Sequence, residues 1–433
     1  MKRKSILCVT LAAALAAGSL AGCGTPASES SAASADTTSA QASAENGAAI
    51  QPCEVTFWHA MTGQQETTLT ELTDQFNAEN EYGIQVTLVN QGSYNDLSTK
   101  LTANAAADTL PDLSQAYNSW LIPYLDKVVH LDDFVANDYD NYEDIMEGYR
   151  EETSQFGFIN AMPFNKSTYV YFYNKTMFDE LGLEAPETWD DLLNIGKTFQ
   201  EEKGMVSLGF DDMAGMLEAT LRQNGSDYVN EEGAQFNTEA GQQALDFIME
   251  MYNNDYARLV GEDNYFSGPF SNQLIPAYVG SSTGVSYITH EGWELGVAPL
   301  PGNTEKAANT AGTNIVMFSK DENQQKAAWE YLKFLTSTDA TVKWAMDTGY
   351  LPVRTSAYES ETYQEFMAGD ATATASYAQT DAFFSSPAFD GSYDIQNAVN
   401  AKLEELILNK ADSTTAMQEL VAVSYTHLRA HET

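Results

Sequence analysis

Three cysteines, five histidines and 21 basic residues against 62 acidic ones show what this 433-residue sequence has little of. Cys8 and Cys23 fall within the first 23 residues, which leaves Cys53 alone, so no internal disulfide and no thiolate metal site is expected. Two of the histidines sit in the last eleven residues, and His59, His130 and His290 are widely scattered. No Ser/His/Asp order, metal-ligand cluster or phosphate-cradling glycine loop stands out, so neither a cofactor nor a bound metal is expected. The acidic run Asp138 to Asp144 lacks the turn glycine and closing glutamate of a calcium loop at their required offsets. The formal charge is −41, which excludes nucleic acid as a partner because phosphate binding needs clustered Lys and Arg. The acids are spread over helical faces and loops and read as solvated surface. Beyond the N-terminus no stretch reaches ~18 consecutive apolar residues, the length a membrane span needs.

The N-terminus itself reads as a targeting segment. Lys2, Arg3 and Lys4 precede a short apolar stretch, Ile6 to Leu20, and then Leu20-Ala21-Gly22-Cys23. That layout is a signal peptide over residues 1–22, and its end resembles the lipobox of bacterial lipoproteins, which implies that Cys23 is diacylated and becomes the mature N-terminus. Two or three acyl chains suffice for stable anchoring. Removing the three basic residues makes the charge more negative still. Residues 23–49 are Ala, Ser and Thr-rich without an aromatic residue, a composition that cannot offset its ordering entropy and so predicts a flexible tether. At the other end, residues 423–433 read VSYTHLRAHET, an adapter-like, non-native tail that is set apart from the fold. About 370 residues remain, enough for two domains.

Hydrophobic periodicity predicts an α/β order. Glu54 to Trp58 alternates as a half-buried strand, and Leu69, Leu72 and Phe76 share one face of a following helix. Ile84–Leu88 is a second strand, Tyr94–Ala107 a second helix with Leu97, Leu101 and Ala105 aligned, and Pro111-Asp112-Leu113 enters a third strand. Strand, helix, strand at this spacing means a parallel sheet. The pattern restarts with a strand at Thr168–Tyr173, a short helix Asn174–Leu181 closed by Gly182, and Thr188-Trp189-Asp190-Asp191 as a capping box. Helices near 241–254 and 322–336 follow, with a strand at Leu295–Pro299 between them.

Five motifs then occur in order: Trp58-His59-Ala60-Met61-Thr62-Gly63, Asp108 to Leu113, Met162-Pro163-Phe164-Asn165, Tyr173-Asn174-Lys175 and Thr348-Gly349-Tyr350-Leu351-Pro352-Val353. Together they resemble the extracellular solute-binding proteins of ABC importers, the maltose-binding-like group, and within it the glycerol-3-phosphate-binding branch. The resemblance spans residues 54–420. It implies two α/β lobes around a hinged cleft (the type II arrangement): 50–165 with 301–349 as lobe one, 166–300 with 350–422 as lobe two, and crossings near Pro163, Pro299 and Leu351. It also implies a monomer outside the cytoplasmic membrane that closes on a small solute and docks on a permease.

The same resemblance implies ligand contacts from Tyr94, Asn118, Ser167, Ser281, Ser282, Gly312 and Tyr350, with Trp58, Tyr117 and Trp120 as stacking platforms for sugar rings. Each has a plainer reading: Tyr94 as a helix-start tyrosine, Gly312 as a turn glycine, and the tryptophans as core. Tyr350→Ala is expected to weaken binding at least about tenfold with thermal unfolding nearly unchanged. Two departures decide the ligand class. The branch holds phosphate with a late arginine, and none lies between Arg354 and the tail; a cleft tryptophan is replaced near Ala214, beside Asp211 and Asp212. Losing a cation and gaining acids favours a neutral carbohydrate or polyol, with Asp211 or Asp212 accepting hydroxyl hydrogens. Glycerol-3-phosphate or its diesters come second, because Lys166 could replace the missing charge. A secreted glycosidase, with paired carboxylates, and a surface adhesin are the rivals from other classes; no enzyme activity is expected.

Overall fold

The structure, a computed structural model, describes residues 50–431. The signal peptide, Cys23 and the tether to residue 49 lie outside the described residues. Two sheets, each with its own apolar core on both faces, form two lobes.

In the first sheet the order is Gln85–Asn90, Glu54–His59, Leu113–Ala116, Asn314–Met317, Met162–Pro163. The first three strands are parallel, as the spacing predicts. Asn314–Met317 then inserts antiparallel to both of its neighbours. Alternation assigns the faces. Val55 and Phe57 join Leu69, Leu72 and Phe76 of the helix Gly63–Glu79 on one side, while Trp58 packs with Leu97 and Leu101 of the helix Tyr94–Ala107 on the other. Ile315 and Met317 follow the first face and Val316 the second. The second predicted strand begins one residue later than expected, with Ile84 fully buried ahead of it.

The second sheet is built around Ser167–Asn174, which pairs antiparallel with Ala277–Ser281 and Leu295–Ala298; Ala308–Ala311 pairs with its first two residues. Tyr171 and Val279 face a core shared with the helices Trp189–Lys203, Met213–Gln223, Glu239–Asn253 and Ser392–Leu408. The Thr188 capping box is present, its hydroxyl accepting from the Asp191 N–H. The last helix, Ser413–His431, takes in nine of the eleven tail residues that the sequence sets apart from the fold. Ser424 is buried, and Tyr425 packs so close to Gly233 that a Cβ there would meet its ring at 2.3 Å.

The chain changes sheets between Pro163 and Ser167 and again between Ala311 and Asn314, and Leu351 N donates to Lys166 O at 2.7 Å. The middle crossing, expected near Pro299, therefore falls at Gly312-Thr313. The reason is that Leu295–Ala298 and Ala308–Ala311 both ladder onto the strand Ser167–Asn174.

Candidate functional site

A cavity of about 270 Å³ opens between the lobes. From the first lobe come Tyr117 and Asn118, directly after the strand Leu113–Ala116, and Glu152 at the end of the helix Glu147–Glu152. The carboxyl ends of parallel strands are where α/β folds place ligands. The second lobe supplies Tyr169, Asp212, Tyr228 and Asn309, together with Ser386, Tyr393 and Gln396 from the segment leading into and along the helix Ser392–Leu408.

Asp212 shows how local structure sets a functional side chain. It is the N-cap of Met213–Gln223: one oxygen accepts from the Ala214 and Gly215 N–H groups at 3.1 Å, and the other from the Tyr169 hydroxyl at 2.9 Å. Gly215 makes this possible, because a Cβ there would sit 2.5 Å from the carboxylate and 3.1 Å from the Tyr169 ring. Gly312 lines the cavity where the chain changes sheets. Its φ of +96° and a Cβ position 1.8 Å from Asn165 O leave room for glycine alone.

The expected site residues divide sharply. Tyr117, Asn118, Asp212 and Gly312 line the cavity. Asn118 is spent internally, however, its amide donating to Glu152 O and accepting from Asn160 Nδ2 at 3.0 Å. Tyr94 and Trp120 brace Tyr117 with ring centroids 5.7 and 4.9 Å away, but do not line the cavity. Tyr350, only 8% exposed, stacks on Trp344 at 5.6 Å in the first core. Trp58 packs in that lobe, Ser167 is buried in its strand opposite Ala311, Ser281 bonds Thr283 at 2.9 Å, and Ser282 is fully buried. Asp211 faces an adjoining groove. Its Oδ1 accepts from Phe266 N at 2.7 Å, and burial pushes its pKa from 3.8 up to about 6, with the Phe266 bond opposing and Asp212 adding.

Among the described residues no lysine, arginine or histidine lines the cavity. Lys166 is fully buried, both Glu152 oxygens accepting from its Nζ at 2.7 and 2.8 Å. Arg354 is held by Asp144 at 3.0 Å and by backbone carbonyls. Tyr169, Tyr228, Tyr393, Asn309 and Gln396 went unnoticed in the sequence. Only Tyr169 carried a signal, sharing the face of Ser167 by the two-residue period of a strand.

Residues 71–375 match the family described as bacterial extracellular solute-binding protein. The sn-glycerol-3-phosphate-binding periplasmic protein UgpB of Yersinia enterocolitica is 24% identical over 346 residues, 73% of this chain and 78% of that protein. UgpB of Escherichia coli K12 is 25% identical over 345 residues, 72% and 77% of the two chains. Among solved structures, the cyclic alpha-maltosyl-1,6-maltose binding protein from Arthrobacter globiformis matches with a TM-score of 0.79 at 23% identity, over 88% of this chain and all of that one. UgpB from Mycobacterium tuberculosis in complex with glycerophosphocholine matches with a TM-score of 0.76 at 20% identity and the same coverage. These likenesses share the two-lobed fold, and no helix among the described residues is long and apolar enough to cross a membrane. With the match spanning well over half its length, the chain belongs to the bacterial extracellular solute-binding protein family.

Proposed function

We propose that this protein, anchored through Cys23 on the outer face of the bacterial cytoplasmic membrane, captures a neutral polyhydroxylated solute, a sugar or polyol, and delivers it as a monomer to an ABC importer permease. The observation that carries this reading is the wall of the cavity, which among the described residues holds four tyrosines, neutral amides and hydroxyls, two carboxylates, and no cation. Tyrosine faces suit the C–H faces of a sugar ring, while Asn309, Gln396 and Ser386 can exchange hydrogen bonds with hydroxyls. A phosphate here would lose its water and gain no positive partner, a cost that uncompensated charges do not recover. Ligand touching both lobes favours the closed form, which gives the permease a shape to recognise.

Neither cavity carboxylate is free for acid–base work. Glu152 is paired with Lys166, and Asp212 is used as a cap and by Tyr169. This argues against the glycosidase.

The UgpB relatives keep glycerol-3-phosphate and its diesters as the second reading. Calorimetric titration with maltose, trehalose, glycerol, glycerol-3-phosphate and glycerophosphocholine separates the two. Saturable binding of a neutral member supports the proposal. Binding confined to phosphates, or hydrolysis of a glycoside, overturns it.

A further inference from the structure

The cavity wall contains an anion-binding arrangement that the chain itself fills. Lys166 Nζ donates to both oxygens of Glu152, and Asn314 Nδ2 donates to Oε1 at 2.9 Å. The Tyr149 ring lies 5.8 Å from the ammonium. Lys166 sits at the first crossing between lobes and Asn314 just after the second, so these donors are fixed by two sheets at once. The backbone of Glu152 is fixed too, its carbonyl accepting from the buried Asn118 amide. Glu152 is the member of the group that lines the cavity, while Lys166 has no exposed surface. Two converging donors, one of them charged, around a pair of oxygens is how proteins hold the oxyanion of a ligand. Here the oxygens belong to residue 152.

We propose that Glu152 is an internal anion plug: its carboxylate occupies a cradle formed by Lys166 and Asn314 that would otherwise accept a phosphate or carboxylate oxygen from the ligand, and so it sets the cleft against anionic solutes. The inference rests on the neutral-ligand reading and deepens it. It assigns selectivity to one side chain and explains how a lysine beside the cleft leaves no positive charge available. Removing the carboxylate leaves a buried ammonium without a counter-ion, which an external anion of the right size then neutralises.

The test uses the whole protein and the variants Glu152→Ala, Glu152→Gln and Glu152→Ala/Lys166→Met. Each is titrated with glycerol-3-phosphate, inorganic phosphate and a neutral sugar, and its thermal midpoint is read against phosphate and acetate concentration. Glu152→Ala should gain phosphate affinity at least about tenfold over wild type, the value of one charge-assisted hydrogen bond. The gain should weaken with added salt, and the midpoint should climb with either anion, because only the folded state binds it. Glu152→Gln, which retains an acceptor for Asn314, should show the same response at smaller amplitude, and serves if the alanine variant does not fold. The double variant should show none. A folded variant indifferent to both anions, in a protein that still takes the sugar, overturns the plug alone. Wild type binding glycerol-3-phosphate as tightly as the variant overturns the plug and the neutral-ligand reading together.

Discussion

Replacing Asp211 by asparagine should stabilise the protein near neutral pH and flatten its stability profile. The folded chain holds this carboxylate where ionisation is unfavourable: burial raises its pKa from 3.8 to about 6, Asp212 adds to the rise, and the Phe266 N–H at 2.7 Å opposes it. Each pKa unit is worth about 1.36 kcal/mol, so the full rise corresponds to about 3 kcal/mol. Partial exposure of the side chain to screening water reduces the expected effect to about 1–2 kcal/mol. The sign follows from proton counting. With the folded value above the unfolded one, the native state binds the extra proton between about pH 4 and pH 6, so stability falls as pH rises through that window, and the penalty is complete above about pH 7. Asparagine keeps an oxygen for Phe266 N–H and carries no charge. Urea unfolding of both proteins from pH 4 to pH 8 decides the matter. The variant should exceed wild type by about 1–2 kcal/mol at pH 8, with the gap closing near pH 4. A variant equal to or weaker than wild type at pH 8 refutes the reasoning.

Gly312→Ala should cost at least about 2 kcal/mol, since it combines a left-handed φ with a Cβ 1.8 Å from Asn165 O; an unchanged urea midpoint would contradict this. Tyr350→Ala, expected from the sequence to leave unfolding untouched, should instead lower stability by about 3–5 kcal/mol, because the ring is buried against Trp344. Tyr350→Phe should stay within about 1 kcal/mol of wild type, and comparing the two melting curves checks both values. Tyr117→Ala should weaken neutral-ligand binding about tenfold by removing a cavity-lining ring; calorimetry showing unchanged affinity would remove Tyr117 from the site.

The elements with strong local grammar were legible. Alternation located the strand Glu54–His59, the 3.6-residue period located Tyr94–Ala107, and the Thr188 box located the start of Trp189–Lys203. The site was only half legible. Asp212 was singled out as an acid beside the replaced tryptophan and Gly312 by resemblance, and both line the cavity. Tyr228, Tyr393 and Gln396 reach it from segments distant in sequence, a property of tertiary packing that no local period encodes. Tyr350 and Trp58 were placed in the cleft by resemblance, yet their rings pack in the first lobe. Lys166 could not have been judged from the sequence, because its charge is cancelled by a partner fourteen positions earlier that only the fold brings near.

The position of Asn314–Met317 in the first sheet has a consequence for how this chain is made. The strand sits between Leu113–Ala116 and Met162–Pro163, so the N-terminal half cannot complete its own sheet from its own residues. The chain must extend past residue 317 before that gap is filled, and the core over Ser167–Asn174 likewise draws on the later helix Ser392–Leu408. Until then the edge of Leu113–Ala116 waits unpaired, and a chain released before residue 314 would carry it as a sticky end.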